Sequence, residues 1–248
     1  LSFTREPVQI PEADAVDRFL PAFDPGAVRF RASAPVSQAV AVLGGGPYSY
    51  FRYEMHRAAE NAIAAYDEIA RDFAREFGRD HPAVESYRTE DAEIVFLMMG
   101  SFATKAKDAV DRLREAGRPV GLLRPRLLRP YPAEAMRKAL AGKHAVAVLD
   151  QNLSMGQGGI LHAELAGALY GQPDAPPILA SFVGGLGGRD IAPEEFFEIA
   201  ERTRKAAEQG RTPPPQLLYT QGELRELRKL QGLAGAERNE ITTGGQER

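Results

Sequence analysis

The stretch DQNLSMGQGGILHAEL, from Asp150 to Leu165, follows an apolar run, AVAVL, and leads into a helical pattern. Asp150, Asn152, Ser154, Gly156, Gly158 and Gly159 therefore sit where a strand passes to a helix. Such a junction can hold a phosphate, because a helix start presents unpaired N–H groups and the positive end of the dipole. The spacing argues against a private nucleotide. A dinucleotide loop reads G-x-G-x-x-G, with an acid about 20 residues on to hold a ribose. Here the glycines run G-x-G-G, and Asp150 precedes them. The phosphate loop G-x-x-x-x-G-K followed by Ser or Thr is absent. Two readings stay open. The glycines serve a tight turn with close backbone approach, or the helix-start amides, with Asn152 and Ser154, meet an anion or a neighbouring subunit.

A second cluster, VGGLGGRD, places Gly184, Gly187 and Gly188 before Arg189 and Asp190. Glycines let the backbone lie flat against a partner. The arginine suits a carboxylate or phosphate, or an internal ion pair. RPRLLRPYP carries Arg124, Arg126 and Arg129, which read as a basic rim for an anionic ligand or as a solvated loop. The four histidines, at 56, 81, 144 and 162, show no metal-ligand spacing. G-x-S-x-G is absent, so a hydrolase elbow has no support. No catalytic set is identifiable.

The elements that would position these loops alternate. EIVFLMM (93–99), VGLLR (120–124), AVAVLD (145–150) and PILASFV (177–183) read as buried strands. Amphipathic helices are expected over 104–117, 132–142, from Gly158 to Tyr170, and over 192–209. Apolar strands alternating with helices predict an α/β fold with a three-layer parallel sheet and right-handed crossovers. The loops after the strands then carry the function. Upstream, prolines at 7, 11, 21 and 25 predict a loop-rich arm with one short helix over 12–19. LGGGPYSY reads as a flexible turn. A long helix follows over about 50–77, with Met55, Ala59, Ile63, Tyr66, Ile69, Ala70, Phe73 and Phe77 among the residues of one stripe suited to a neighbouring domain. The organisation expected is therefore an arm and long helix over 1–87, an α/β domain over 88–208, and a tail over 209–248. In the tail, TPPPQ is a rigid break, 221–235 is helix-capable, and 236–248 reads as frayed.

The bulk composition narrows the classes. The chain has 248 residues, 44% hydrophobic and 26% charged, within the ordinary range of globular proteins. A formal net charge of −3 argues against nucleic acid as a partner. With no cysteine, the chain can form no disulfide and offer no thiolate to zinc or an iron–sulfur cluster. No continuous apolar run has the length of a membrane span, and LSFTREPVQIPEAD lacks a signal pattern, so a cytoplasmic protein without membrane association is expected. The start reads like the middle of a longer chain.

Several motifs in order carry a resemblance. They are YRTEDAEIVFLMMGSFATKAKDAVDRLREAGRPVGLLRPRLLRPYP, VAVLDQNLSMGQGGILHAEL and FVGGLGGRDI, with SFTREPVQIPEADAVDRFLP and FAREFGRDHPAVESY upstream. Together they resemble the alpha subunit of the 2-oxoacid:ferredoxin oxidoreductases, the pyruvate synthase-like family, over roughly 1–202. The resemblance implies a transketolase C-terminal-like domain that follows a thiamine pyrimidine-binding domain not included in this sequence. It implies oxidative decarboxylation of a 2-oxoacid, pyruvate foremost, to acyl-CoA with electrons passed to ferredoxin. Thiamine diphosphate and Mg2+ would be held by a beta subunit carrying a G-D-G…N motif, and iron–sulfur clusters by gamma or ferredoxin-like subunits or domains. Coenzyme A would accept the acyl group. This chain would itself hold no cofactor and be inactive alone. Its part would be structural, with Asp150, Asn152, Ser154, Gly156, Gly158, Gly159, Gly184, Gly187, Gly188 and Arg189 as interface or substrate-channel loops. The competing readings are an independent nucleotide-binding oxidoreductase domain and a noncatalytic assembly module.

Overall fold

Ile94–Met98 (β2) is buried at every position, which only a strand covered on both faces can be. In a computed structural model describing residues 7–26, 29–36 and 45–244, with side chains through 238, it is one of the two middle strands of a six-stranded sheet. Val84–Tyr87 (β1), Val120–Pro125 (β3), Ala145–Asp150 (β4), Ile178–Val183 (β5) and Gln216–Leu217 (β6) complete it, in the order β1-β3-β2-β4-β5-β6. The strands from β2 to β6 run parallel, and β1 joins β3 antiparallel.

Helices cover both faces. Phe102–Glu115 (α3) and Pro193–Gln209 (α6) lie on one face around Phe96, Phe182 and Phe196. Ala133–Leu140 (α4) and Ile160–Leu169 (α5) lie on the other around Leu97, Met136 and Leu165. The α/β, three-layer fold expected from the apolar runs is what forms. The chain runs from β2 to β3 on one side and then crosses from β3 to β4 on the other, so a topological switch point falls between β2 and β4. The crevice at the carboxyl ends of those strands is where such sheets receive ligands or partners.

The short and polar pieces depart from the sequence reading. Val84–Tyr87, to which no element was assigned, is an edge strand whose Glu85 and Ser86 break the apolar run. Gln216–Leu217 pairs with Phe182 and Val183, so part of the tail also enters the sheet. Both strands lie outside the 88–208 span. LGGGPYSY is not a turn throughout: Gly45–Phe77 (α2) is helical from its second glycine, while 43 and 44 lie outside the described residues. The tail helix, Gln221–Gly244 (α7), runs through most of the segment read as frayed, and 245–248 lie outside the described residues.

In the arm, Ala13–Phe19 (α1) rests on the end of α2, with Phe19 edge-on to Phe73 at 5.5 Å and to Phe77 at 5.3 Å. Within this chain only Ala70 of α2 is buried; Met55, Ala59 and Ile69 of the apolar stripe are exposed, while Ile63, Tyr66, Phe73 and Phe77 are half-buried. No helix among the described residues is long and apolar enough to cross a membrane.

Candidate functional site: the glycine loops at the strand ends

Asp150 ends β4 with its carboxylate buried under the start of α5. Oδ1 accepts the Leu161 N–H at 2.8 Å, and Oδ2 accepts the His162 N–H at 3.1 Å. The Asn152 side-chain oxygen accepts the Ile160 N–H at 3.1 Å. The first three helical amides of α5 are thus satisfied by the chain itself, and a carboxylate already occupies the positive end of its dipole. The reading in which these amides meet an outside anion or a neighbouring subunit finds them already bonded to Asp150 and Asn152. Burial pushes the Asp150 carboxyl above the ordinary value, and the two amide bonds pull against that without cancelling it.

Gly159 allows this arrangement. A Cβ there would lie 1.9 Å from Asp150 Oδ2 and 2.6 Å from Asp150 Cβ. Its φ of −76° is ordinary, so the glycine is there for space rather than for backbone freedom. Between the two cap residues and Gly159 the loop closes on itself. The Ser154 N–H donates to the Gly158 carbonyl at 2.8 Å and the Gly158 N–H returns to Ser154 at 3.0 Å. Gly156 and Gly158 take φ of 83° and 101°, which side chains resist, and Met155 stands 87% exposed at the tip.

The second glycine loop meets the first. The Gly184 N–H donates to the Asp150 carbonyl at 3.0 Å, continuing the β4–β5 ladder into the loops. A turn of 3-10 helix, Leu186–Gly188, follows, with Gly187 and Gly188 at positive φ and open space around both. Arg189 does not reach toward a ligand. It bonds Glu195 at 2.9 Å and Glu223 at 2.5 Å, through both of its terminal edges, tying the start of α6 to the start of α7. Glu195 also accepts the Ala192 N–H at 2.9 Å, and alanine returns no side-chain bond, so only half of a capping box forms there. At α7 the box is complete, with Thr220 and Glu223 bonding each other's N–H groups. Arg189 first, then the Thr220 groups, hold the Glu223 carboxyl down at about 2.

Of the two readings of RPRLLRPYP, a basic rim or a solvated loop, the rim is not what the arginines make: they enter ion pairs within the chain. Arg126 and Arg124 turn to Glu85 of β1 at 2.6 and 3.7 Å, and Lys107 joins them. Arg129 pairs with Glu164 at 2.5 Å. Burial raises the Glu85 carboxyl, but the three cations outweigh it and leave the group below its ordinary value.

The switch-point crevice itself is a cleft of about 220 Å³ bordered by Met99, Gly100, Leu128, Gln151, Asn152 and Ile160. Its walls are mainly apolar and backbone, with amides as the only polar side chains other than Asp150. A larger groove of about 640 Å³ runs between α2, β1 and α4, past Ile63, Ser86 and Lys138. It lies away from the strand ends and gathers no set of reactive groups. No cluster of three or more metal-ligating His, Cys, Asp or Glu side chains exists among the described residues. The structure thus brings Asp150, Asn152, Gly158, Gly159 and Gly184 together, leaves Gly156, Gly187 and Gly188 outward, and turns Arg189 inward. Pro215, Leu218 and Glu223, which touch these loops from the tail, were not anticipated. The T-x-x-E spacing of Thr220 and Glu223 is the one signal that marked the place.

Comparison with known proteins follows the same span. Residues 92–196 match the family described as pyruvate:ferredoxin oxidoreductase core domain II. Pyruvate synthase subunit PorA of Methanothermobacter thermautotrophicus is 39% identical over 203 residues, 82% of this chain and 51% of that one. Pyruvate synthase subunit PorA of Pyrococcus abyssi is 34% identical over 215 residues, 87% of this chain and 54% of that one. Ketoisovalerate oxidoreductase subunit VorA of Pyrococcus abyssi is 37% identical over 212 residues, 85% of this chain and 53% of that one. The chain spans about half the length of these curated relatives. A weaker likeness in structure alone is to a 2-oxoglutarate:ferredoxin oxidoreductase from Magnetococcus marinus, with TM-score 0.41 and 20% identity over 66% of this chain and 24% of that one.

Proposed function

The chain belongs to the pyruvate:ferredoxin oxidoreductase family, by relatives 34–39% identical over 82–87% of its length and a core domain II at 92–196, and from that premise we propose that it is an architectural part of a 2-oxoacid:ferredoxin oxidoreductase. The reaction is oxidative decarboxylation: a 2-oxoacid, coenzyme A and two oxidised ferredoxins give acyl-CoA, carbon dioxide, a proton and two reduced ferredoxins. Pyruvate is the first oxoacid to test, because two of the relatives above are named for pyruvate synthase.

The observation that carries an architectural role is the capping of α5. A diphosphate group needs free amides at a helix start and a metal bridge. Here the Ile160, Leu161 and His162 amides are taken by Asn152 and Asp150. These residues do not fit thiamine diphosphate and Mg2+. The proposal therefore places both on a beta subunit, and the iron–sulfur clusters on gamma or ferredoxin-like subunits or domains. Thiamine diphosphate supplies the difficult carbon chemistry, and this chain supplies contact surfaces around it. The outward part of the glycine loops, Gly156, Gly187 and Gly188 with Met155 at the tip, is the surface offered to those partners or to a substrate channel. The cytoplasm is the expected location.

Reconstitution tests this reading. The chain is co-expressed with a thiamine pyrimidine-binding domain and candidate partner subunits, and reduction of ferredoxin by pyruvate and coenzyme A is followed. Activity should require the partners and be absent from the chain alone. Decarboxylation of an oxoacid by the purified chain by itself overturns the reading. So does micromolar binding of NAD or NADP in calorimetry, which favours a separate nucleotide-binding domain.

A further inference from the structure

Three contacts of one short segment converge on both glycine loops. Pro215 lies over Gly158, where an added Cβ would come within 3.2 Å of its ring. Leu218 lies over Gly184, where an added Cβ would come within 2.8 Å of Leu218 Cδ1. Glu223 holds Arg189 at the end of the second loop. Between these contacts the segment adds β6 to the sheet, the Leu218 N–H donates to the Val183 carbonyl at 2.9 Å, and Gln216 accepts from Arg202 at 3.0 Å. Leu218 is buried. Gly184 has no unusual backbone angle, so Leu218, with Ile191 beside it, is what excludes a side chain there.

We propose that residues 215–223 are a strap that sets the shape of both glycine loops, with Arg189 as its clasp and α7 as its handle. The segment joins the sheet over a short stretch only. Pro213, Pro214 and Pro215 lack backbone donors, so pairing to β5 begins only at Gln216, and its last bond is the one from the Leu218 N–H. Beyond the Thr220–Glu223 box, Leu227, Leu230 and Leu233 of α7 are exposed. A load on α7 reaches the loops through Glu223 and Arg189. The loops also share a bond, from the Gly184 N–H to the Asp150 carbonyl, so loosening one loosens the other. Arg189 is on this view a positioning residue. The inference does not rest on the family's reaction and stands or falls separately from it.

Hydrogen exchange on the whole chain, read by mass spectrometry, tests it. The reporting amides are Ser154, Gly158, Gly184 and Arg189, all bonded within or between the loops. In Glu223→Gln and Arg189→Gln these amides should exchange about tenfold faster, while those of β2 and β4 stay unchanged. A size-swap pair supplies the second measurement. Gly184→Ala should speed exchange in both loops through its collision with Leu218. Added to Leu218→Ala, it should change little further. Faster exchange confined to 216–244, with the loop amides unmoved, overturns the proposal and leaves a passive tail. Additive effects of Gly184→Ala and Leu218→Ala overturn it as well. Should either clasp variant unfold the chain, the Gly184–Leu218 pair alone decides.

Discussion

Replacing Gly159 by alanine is the sharpest test of how the first loop is built. The backbone angles there suit alanine, and in open space the change would stabilise by about 0.4–1 kcal/mol through the unfolded state. The new Cβ instead falls 1.9 Å from Asp150 Oδ2, 2.2 Å from Cγ and 2.6 Å from Cβ. The carboxylate must leave, and with it go the bonds to the Leu161 and His162 amides. Hydrogen bonds to a charged acceptor contribute about 1.5–3 kcal/mol each, so the net loss should be about 3 kcal/mol after the chain-entropy gain. Urea unfolding followed by circular dichroism should show a lower midpoint at unchanged slope. The control is Asp150→Gly, because alanine at 150 would keep the 2.6 Å contact. In that background Gly159→Ala should cost less than about 1 kcal/mol, since nothing remains to be struck. Equal cost in both backgrounds, or a loss under about 1 kcal/mol in the unaltered chain, refutes the reasoning.

Glu223 should titrate at about 2 by NMR, against an ordinary carboxyl value of 4.5. Its folded value is depressed, so its contribution to stability is full above about 4.5 and fades as pH falls through about 2; the stability gap between the unaltered chain and Glu223→Gln should be flat near neutrality and close over that window. Glu85→Gln leaves Lys107, Arg124 and Arg126 without their shared counter-charge and should cost about 1–3 kcal/mol in urea unfolding. That loss should shrink in acid, where the depressed Glu85 carboxyl itself becomes protonated. Gly121→Ala in β3 should destabilise by about 1–3 kcal/mol, read as a lower melting temperature, because its Cβ would press the Arg88 carbonyl at 2.7 Å and Ala92 at 3.0 Å.

The sheet was legible because its central strands are apolar on both faces. Ile94–Met98 and Ala145–Asp150 cannot be confused with amphipathic helix or solvated loop. Edge strands carry no such mark. Val84–Tyr87 mixes Glu85 and Ser86 into four residues, and Gln216–Leu217 hides behind three prolines. The start of α2 was missed because Gly45, Gly46 and Pro47 look like punctuation, yet proline is at home in a first helical turn. In the site, the types of residue were visible and their partners were not. Arg189 was read with an internal ion pair as one alternative, but nothing local joins it to Glu223, 34 positions away. Asp150 was marked as a strand-end acid. That its carboxylate turns back over Gly159 into α5 follows from packing in three dimensions, which spacing alone does not encode.

The capping of α5 has an electrical consequence. A helix end that waits for a mobile ion is a field source whose strength follows the salt around it. Here the counter-charge is covalently fixed and buried, so its pairing with the helix end depends far less on ionic strength than the pairing of an ion drawn from solution would. A small anion crossing the strand ends finds the amides of this helix start already taken, and must be guided by charges elsewhere.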